Sequence, residues 1–314
     1  MTVSSEAEAR RDVGARRAAA GLPRPPRRLS PAALTLLVLV APSVFLLILI
    51  NAYPFFYAAW QSLRNGSLIN DGDFVGWRNY TNVLTSPAFW KAVRFTVIFT
   101  LVGVFGSWLV GMGLALLLRT RIPGRGIFKV LLLLPWVIPI VVSSTSINWL
   151  VGTPVSPLPK LASALGLGTP LFLANPTLAQ ITVCVFKVWV SFPFMMLMTS
   201  AALASVDTTI YEAASVDGAN KWQQFRHVTL PIIARSTYIS WILMTIFCVN
   251  DFPTIFLLTG GGPVDATTSL VVLSYRTVFQ NFQVGPGVAI AFIMTITLVF
   301  VSVVLYRQIR KAHV

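Results

Sequence analysis

The sequence predicts an all-α integral membrane protein with six transmembrane helices, and two observations carry that expectation. Charged residues make up 11% of the 314-residue chain against 55% hydrophobic ones, where a soluble domain carries about 25% charge. The few charges are also clustered. They leave uninterrupted apolar stretches of about 20 residues, the length a helix needs to cross the hydrocarbon core. A mean hydropathy of +0.75 agrees with this reading.

Six such stretches follow one another. The first covers residues 32–60, with Pro42 and Pro54 near its ends. Its apolar run Ala32–Ile50 outlasts a signal-peptide core, and no small-x-small cleavage pattern follows at Asn51-Ala52-Tyr53-Pro54. We therefore expect an uncleaved helix. The second covers 92–118, where Gly103, Ser107, Gly111 and Ala115 recur every four residues, a row that lets helices approach closely in lipid. The third to sixth cover 127–151, 177–203, 234–259 and 287–306. The connection 152–176, with Pro154, Pro157, Pro159 and Pro170, reads as turns and short helices. Residues 1–30 form a basic tail and 31–314 one six-span domain, with no visible internal repeat.

Orientation follows from lysine and arginine. With the N-terminus inside, the cytoplasmic side holds Arg10, Arg11, Arg16, Arg17, Arg24, Arg27 and Arg28 of the tail. It also holds Arg119, Arg121, Arg125 and Lys129, then Lys221, Arg226 and Arg235, then Arg307, Arg310 and Lys311. The outer side holds Arg64, Arg78, Lys91, Arg94, Lys160 and Arg276. Both termini are expected in the cytoplasm. The net charge of +14 thus reads as membrane orientation and contact with lipid. No aromatic residue is interleaved with the tail arginines, so nucleic acid is not an expected partner.

Several chemistries find no support. Cys184 and Cys248 sit in apolar runs without disulfide or zinc spacing, and His227 and His313 lie too far apart for a metal site. No Gly-Lys dipeptide occurs, so the phosphate-cradling loop of ATPases is missing, as are Gly-x-Ser-x-Gly and His-Glu-x-x-His. No catalytic residue, metal or resident cofactor is expected.

The segment 204–233, between the fourth and fifth spans, is the most informative part of the chain. Thr208 or Thr209 is suited to cap a helix, placing Glu212 near its N-terminal turn where negative charge is favoured. Ala213 and Ala214 are small, strong helix formers; Asp217-Gly218-Ala219 reads as a turn. A second amphipathic stretch follows with Trp222, Phe225 and Val228, ended by Leu230-Pro231 before the next span.

The spacing of Glu212-Ala213-Ala214, Gly218 and Leu230-Pro231 resembles the EAA loop of ABC-importer permeases. Further residues extend the resemblance to the carbohydrate-uptake (maltose/glycerol-phosphate-type) branch. These are Tyr53-Pro54, Gly76, Asn79-Tyr80, Leu134-Pro135-Trp136, Trp189 with Pro193-Phe194, and Thr259-Gly260-Gly261-Gly262-Pro263, the last typical of the first permease subunit. The resemblance implies a type I ABC-importer permease fold with a cytoplasmic coupling helix, in a prokaryotic cell (inner) membrane. It implies a heterodimer with a second permease, and two ATPase domains that bind ATP and Mg. It also implies an extracellular or periplasmic solute-binding protein. Glu212, Ala213, Ala214, Asp217, Gly218, Ala219, Leu230 and Pro231 would then couple to the ATPase.

Two polar positions lie within spans: Lys187 in the fourth and Asn250-Asp251 in the fifth. Charge in hydrocarbon is costly and faces a cavity or a partner. The resemblance carries solute contact onto Lys187, Ser191, Phe194, Asn250 and Asp251, where relatives often have neutral amides. A structural Lys187–Asp251 ion pair, or a Lys187 that snorkels to the lipid edge, are the other readings. The expected function is solute translocation by alternating access. A membrane-embedded enzyme or a scaffold is the alternative and, within transport, a phosphorylated polyol or other charged solute in place of a sugar.

Overall fold

The computed structural model describes residues 31–120 and 123–311. The basic tail and Arg121 lie outside the described residues. The chain divides into two compact units, 1–56 and 57–314. The first unit is described from Pro31 and is helical throughout. Its helix is the start of α1 (Pro31–Ser62), and Pro42 and Pro54 lie inside it. In lipid, neighbouring side chains and local adjustments make such prolines tolerable.

The second unit follows with α2 (Arg78–Thr85), α3 (Pro87–Leu101), a π turn at Val102–Gly106 and α4 (Ser107–Leu117). Helices α5 (Arg125–Val137), α6 (Ile140–Val151), α7 (Pro157–Ala164) and α8 (Pro176–Ala204) come next. Then come α9 (Thr208–Val216), α10 (Lys221–Gln224), a π turn at Phe225–Thr229, α11 (Leu230–Val249) and α12 (Phe252–Thr259). The chain ends with α13 (Leu270–Tyr275), a π turn at Arg276–Gln280 and α14 (Val284–Lys311). No strand occurs among the described residues; Arg64 and Phe74 form an isolated bridge. Among the described residues, five helical runs are long and apolar enough to cross a membrane, and a sixth exists if one bent pair counts as a span.

That bent pair corrects the third expected span. Residues 127–151 are not one rod: α5 and α6 meet at 91°. Ile138 precedes Pro139 and is driven to extended backbone (φ −66°, ψ 132°), which ends the helix. The fifth span is also broken. Pro253 cannot donate to the carbonyl of Val249 and its ring collides there, so α11 stops at Val249 and α12 starts afresh at Phe252. At its other end the fifth span is longer than expected. Leu230-Pro231 does not end the amphipathic stretch, because the π turn shifts the hydrogen-bond register ahead of Pro231. The run from Lys221 to Val249 is continuous.

The small-residue row is the seam between α4 and α8. A Cβ on Gly111 would meet the Met196 amide nitrogen at 2.6 Å and Met195 Cβ at 2.8 Å, so the two backbones nearly touch there. Ser107 and Ala115 are buried on the same face. Gly111→Leu is expected to prevent a stable fold, read as loss of the monodisperse detergent-solubilised peak. Around this seam, Phe95, Phe99, Val183, Phe186, Met195, Met244 and Ile255 form one core, and Met112, Met196, Leu203 and Ile233 a second.

Candidate functional site

Two sites emerge, one inside the helical bundle and one on the loop after α8. The first is built by the break in the fifth span. Helix α12 needs a cap, and Asp251 supplies it: its carboxylate accepts from the Thr254 amide at 3.0 Å and the Thr254 hydroxyl at 2.8 Å. The N-terminus of α12 also favours negative charge. Lys187 of α8 donates to the same carboxylate at 2.6 Å, with both side chains over nine-tenths buried. Lys187 therefore does not run to the lipid edge. Gly103 makes room for it, since a Cβ there would lie 3.2 Å from Lys187 Cγ and 2.7 Å from Cys248 Sγ. The Phe99 ring flanks the ammonium at 5.9 Å.

Ser191 and Phe194 follow Lys187 at helical spacing along one stripe of α8. Ser191 is fully buried and its hydroxyl has no partner among the described residues. Asn250 is exposed and spends its amide on the Ile246 carbonyl at 2.9 Å. Sequence reasoning did not name two further members as site residues. Phe194 stacks on Trp136 of α5 (5.3 Å, 25°) and meets Phe247 of α11 edge-on (5.8 Å, 81°). Trp136 and Phe247 keep 41% and 44% of their surface open, while Phe194 packs against the first core. The signal for Phe247 was its place three residues before Asn250, one turn away on the same helix face.

The second site is the segment Val206 to Pro231. Its helix starts one residue earlier than expected: Asp207, not Thr208 or Thr209, caps α9 by accepting from the Thr209 amide at 2.9 Å. That hydrogen bond holds the Asp207 carboxyl below its usual range. The cap's contribution is therefore present at neutral pH and lost as pH falls through the lowered value. Glu212 lies past the first turn, which contains no acid. After α9 the chain turns at Gly218 in left-handed backbone (φ +80°). The Ala219 amide bonds the Ala214 carbonyl at 2.9 Å and the Gly218 amide bonds the Ser215 carbonyl at 3.1 Å, a Schellman closure. Asn220 and Gln223 then cap α10 reciprocally. Leu230 packs into the second core. No residue of α9 is buried; Ile210, Ala213 and Val216 lie exposed at three-residue spacing beside exposed Glu212.

A bundle of this kind, with a polar break inside it and a bare helix outside it, has the form of a membrane-spanning subunit. The chain belongs to the family of binding-protein-dependent transport system inner membrane components, the permease subunits of ABC importers, whose model matches residues 107–312. It is 32% identical to the trehalose/maltose transport system permease protein MalF of Thermococcus litoralis, over 87% of this chain and 92% of that one. It is 34% identical to the trehalose transport system permease protein SugA of Mycobacterium tuberculosis, over 81% of each. Identity to the sulfoquinovosyl glycerol transport system permease protein SmoG of Agrobacterium fabrum is 32%, over 87% and 89%. The fold matches the crystal structure of a bacterial ABC transporter that imports the acidic polysaccharide alginate. There the TM-score is 0.78 at 18% identity, covering 90% of this chain and 96% of that one. The family is one of sugar-importer permease subunits, which are not enzymes themselves.

Proposed function

We propose that this chain conducts a di- or oligosaccharide through a site formed by Lys187, Ser191, Phe194, Asn250 and Asp251, extended by Trp136 and Phe247. The observation that supports this reading is an aromatic trio whose Phe194 shares one stripe of α8 with Lys187 and Ser191 and whose Phe247 lies one turn before the break that carries Asn250 and Asp251. Sugars present hydroxyls to polar groups and C–H faces to aromatic rings. Lys187 and Asp251 neutralise each other, so the site carries no net charge toward the solute. The trehalose and maltose transport of the MalF and SugA relatives supports the class.

Exposed Glu212 and Ala213 with half-buried Ala214 on α9, and the turn Asp217-Gly218-Ala219, grip an ATPase subunit that binds ATP and Mg. Leu230 and Pro231 anchor that segment to the fifth span. A second permease completes the conduit, and a binding protein outside the cell delivers the solute. The direct test is uptake into proteoliposomes containing the reconstituted assembly. Trehalose or maltose should accumulate in an ATP-dependent manner. Accumulation of sulfonated or phosphorylated solutes alone would move the class to charged solutes.

Both termini lie in the cytoplasm on this reading. Single cysteines at Ser67, Ser163 and the 85%-exposed Val264 should label with an impermeant thiol reagent added to intact cells. One at the 88%-exposed Val216 should not. Cys184 and Cys248 are buried and give no background. The reverse labelling pattern inverts the topology.

A further inference from the structure

We propose that Tyr211 carries movement of α9 to two membrane spans at once, beside the Ser215–Gln224 hydrogen bond that ties α9 to the start of the fifth span alone. The proposal rests on the ATPase-coupling reading above. Helix α9 has no fully buried residue, and Tyr211 is its side chain that packs against the second core. Tyr211 and Ala214 are its half-buried side chains, and Ala214 has only a methyl group to offer. Tyr211 is tied in two directions. Its hydroxyl is 3.1 Å from that of Thr229, which is buried in the π turn at the base of α11. Its ring lies under the Arg119 guanidinium, 4.4 Å from the centroid, and Arg119 follows the end of α4. These groups line a cleft of about 720 Å³ between the coupling segment and the bundle.

The two tethers lead to different places. The fifth span carries Asn250 and Asp251 at its break. Helix α4 runs along α8 through the Gly111 seam, and α8 carries Lys187. One side chain therefore links the ATPase-facing helix to both walls of the solute site. The hydroxyl engages the base of the fifth span, and the ring face engages the end of the second, which packs along the fourth.

The test uses the complete importer and does not depend on knowing the solute. A spin label at Val216→Cys reports α9 itself, one at Val249→Cys reports the end of α11, and one at Leu117→Cys reports α4. Adding a non-hydrolysable ATP analogue with Mg should move all three in the parent protein. Tyr211→Phe should leave the Val216 response intact and cut the Val249 response about fivefold, the worth of one hydrogen bond. Thr229→Val should do the same, and the double variant should be no worse than either alone. Arg119→Gln should instead cut the Leu117 response, with Arg119→Lys partly restoring it. A merely structural role lowers the yield of assembled complex and leaves the responses per complex unchanged, and that outcome overturns the proposal. Loss of the Val216 response in Tyr211→Phe also overturns it, by making Tyr211 part of the ATPase contact. If Val216 is silent in the parent protein, the coupling reading itself fails and takes this proposal with it.

Discussion

Replacing Gly218 by Pro is expected to abolish ATP-driven uptake while the subunit still reaches the membrane. Gly218 stands at φ +80° with open space where a Cβ would point, so its requirement is backbone conformation and not close packing. Proline is locked near φ −65°. It would also remove the Gly218 amide that bonds the Ser215 carbonyl. Forcing the turn open costs about 3 kcal/mol or more, about a hundredfold in the population of the intact coupling segment. Gly218→Ala asks only for a left-handed alanine, about 1–2 kcal/mol, and should keep partial activity. Ala214→Trp should match the proline variant, because a large ring on a half-buried position of α9 displaces the helix from its partner. The measurement is uptake together with ATP hydrolysis in the same vesicles. Hydrolysis that persists without uptake is the expected signature. Normal uptake in both Gly218→Pro and Ala214→Trp would remove the coupling assignment.

The second large effect concerns the buried pair, and the geometry predicts an asymmetry between its members. Asp251→Asn still caps α12, since asparagine accepts from the Thr254 amide. It leaves Lys187 as an uncompensated cation in a site over nine-tenths buried. Removing one partner of such a pair costs about 3–5 kcal/mol. Lys187→Met leaves Asp251 with the Thr254 amide, the Thr254 hydroxyl and the start of a helix. Its penalty should therefore be the smaller of the two. Thermal unfolding of the detergent-solubilised complex should rank the parent first, then Lys187→Met, then Asp251→Asn. The double variant Lys187→Met with Asp251→Asn should recover most of the lost stability. Transport separates pairing from solute contact. The double variant is expected to assemble yet take up sugar poorly, because the polar lining of the site is gone. Uptake at the parent rate and apparent affinity would make the pair purely structural.

The contrast between the two sites is instructive. The proposed coupling segment was legible as a short helix, a turn and a second helical stretch because its geometry is local. Gly218 has positive φ and Ala213 and Ala214 lie on a short helix, while the capping box of Asn220 and Gln223 went unnamed in the sequence. Each depends on neighbours within a few positions. The misplacements there were small and have a local cause. Asp207, Thr208 and Thr209 all suit a helix start, and the carboxylate won the competition. The proposed solute site is different. Lys187 and Asp251 are 64 residues apart in sequence, and pairing was one of three readings open to them. Trp136, Phe194 and Phe247 come from three spans, and nothing in the spacing along one helix brings them together.

What the sequence determined by itself is the number of apolar segments, the identity of the loop between the fourth and fifth, and the presence of charge inside two spans. Hydropathy, helix caps and glycine conformation are properties of a few consecutive residues, and they act before any long-range contact forms. The tertiary structure decided the rest. Both the 91° bend at Ile138–Pro139 and the break before Pro253 come at prolines visible in the sequence. A proline in a span is compatible with either a continuous helix, as at Pro42 and Pro54, or a broken one. The outcome depends on whether another group takes up the freed backbone. At Asp251 that group is a cap whose charge is held by a lysine from a different helix, and this partnership exists only once the helices have packed.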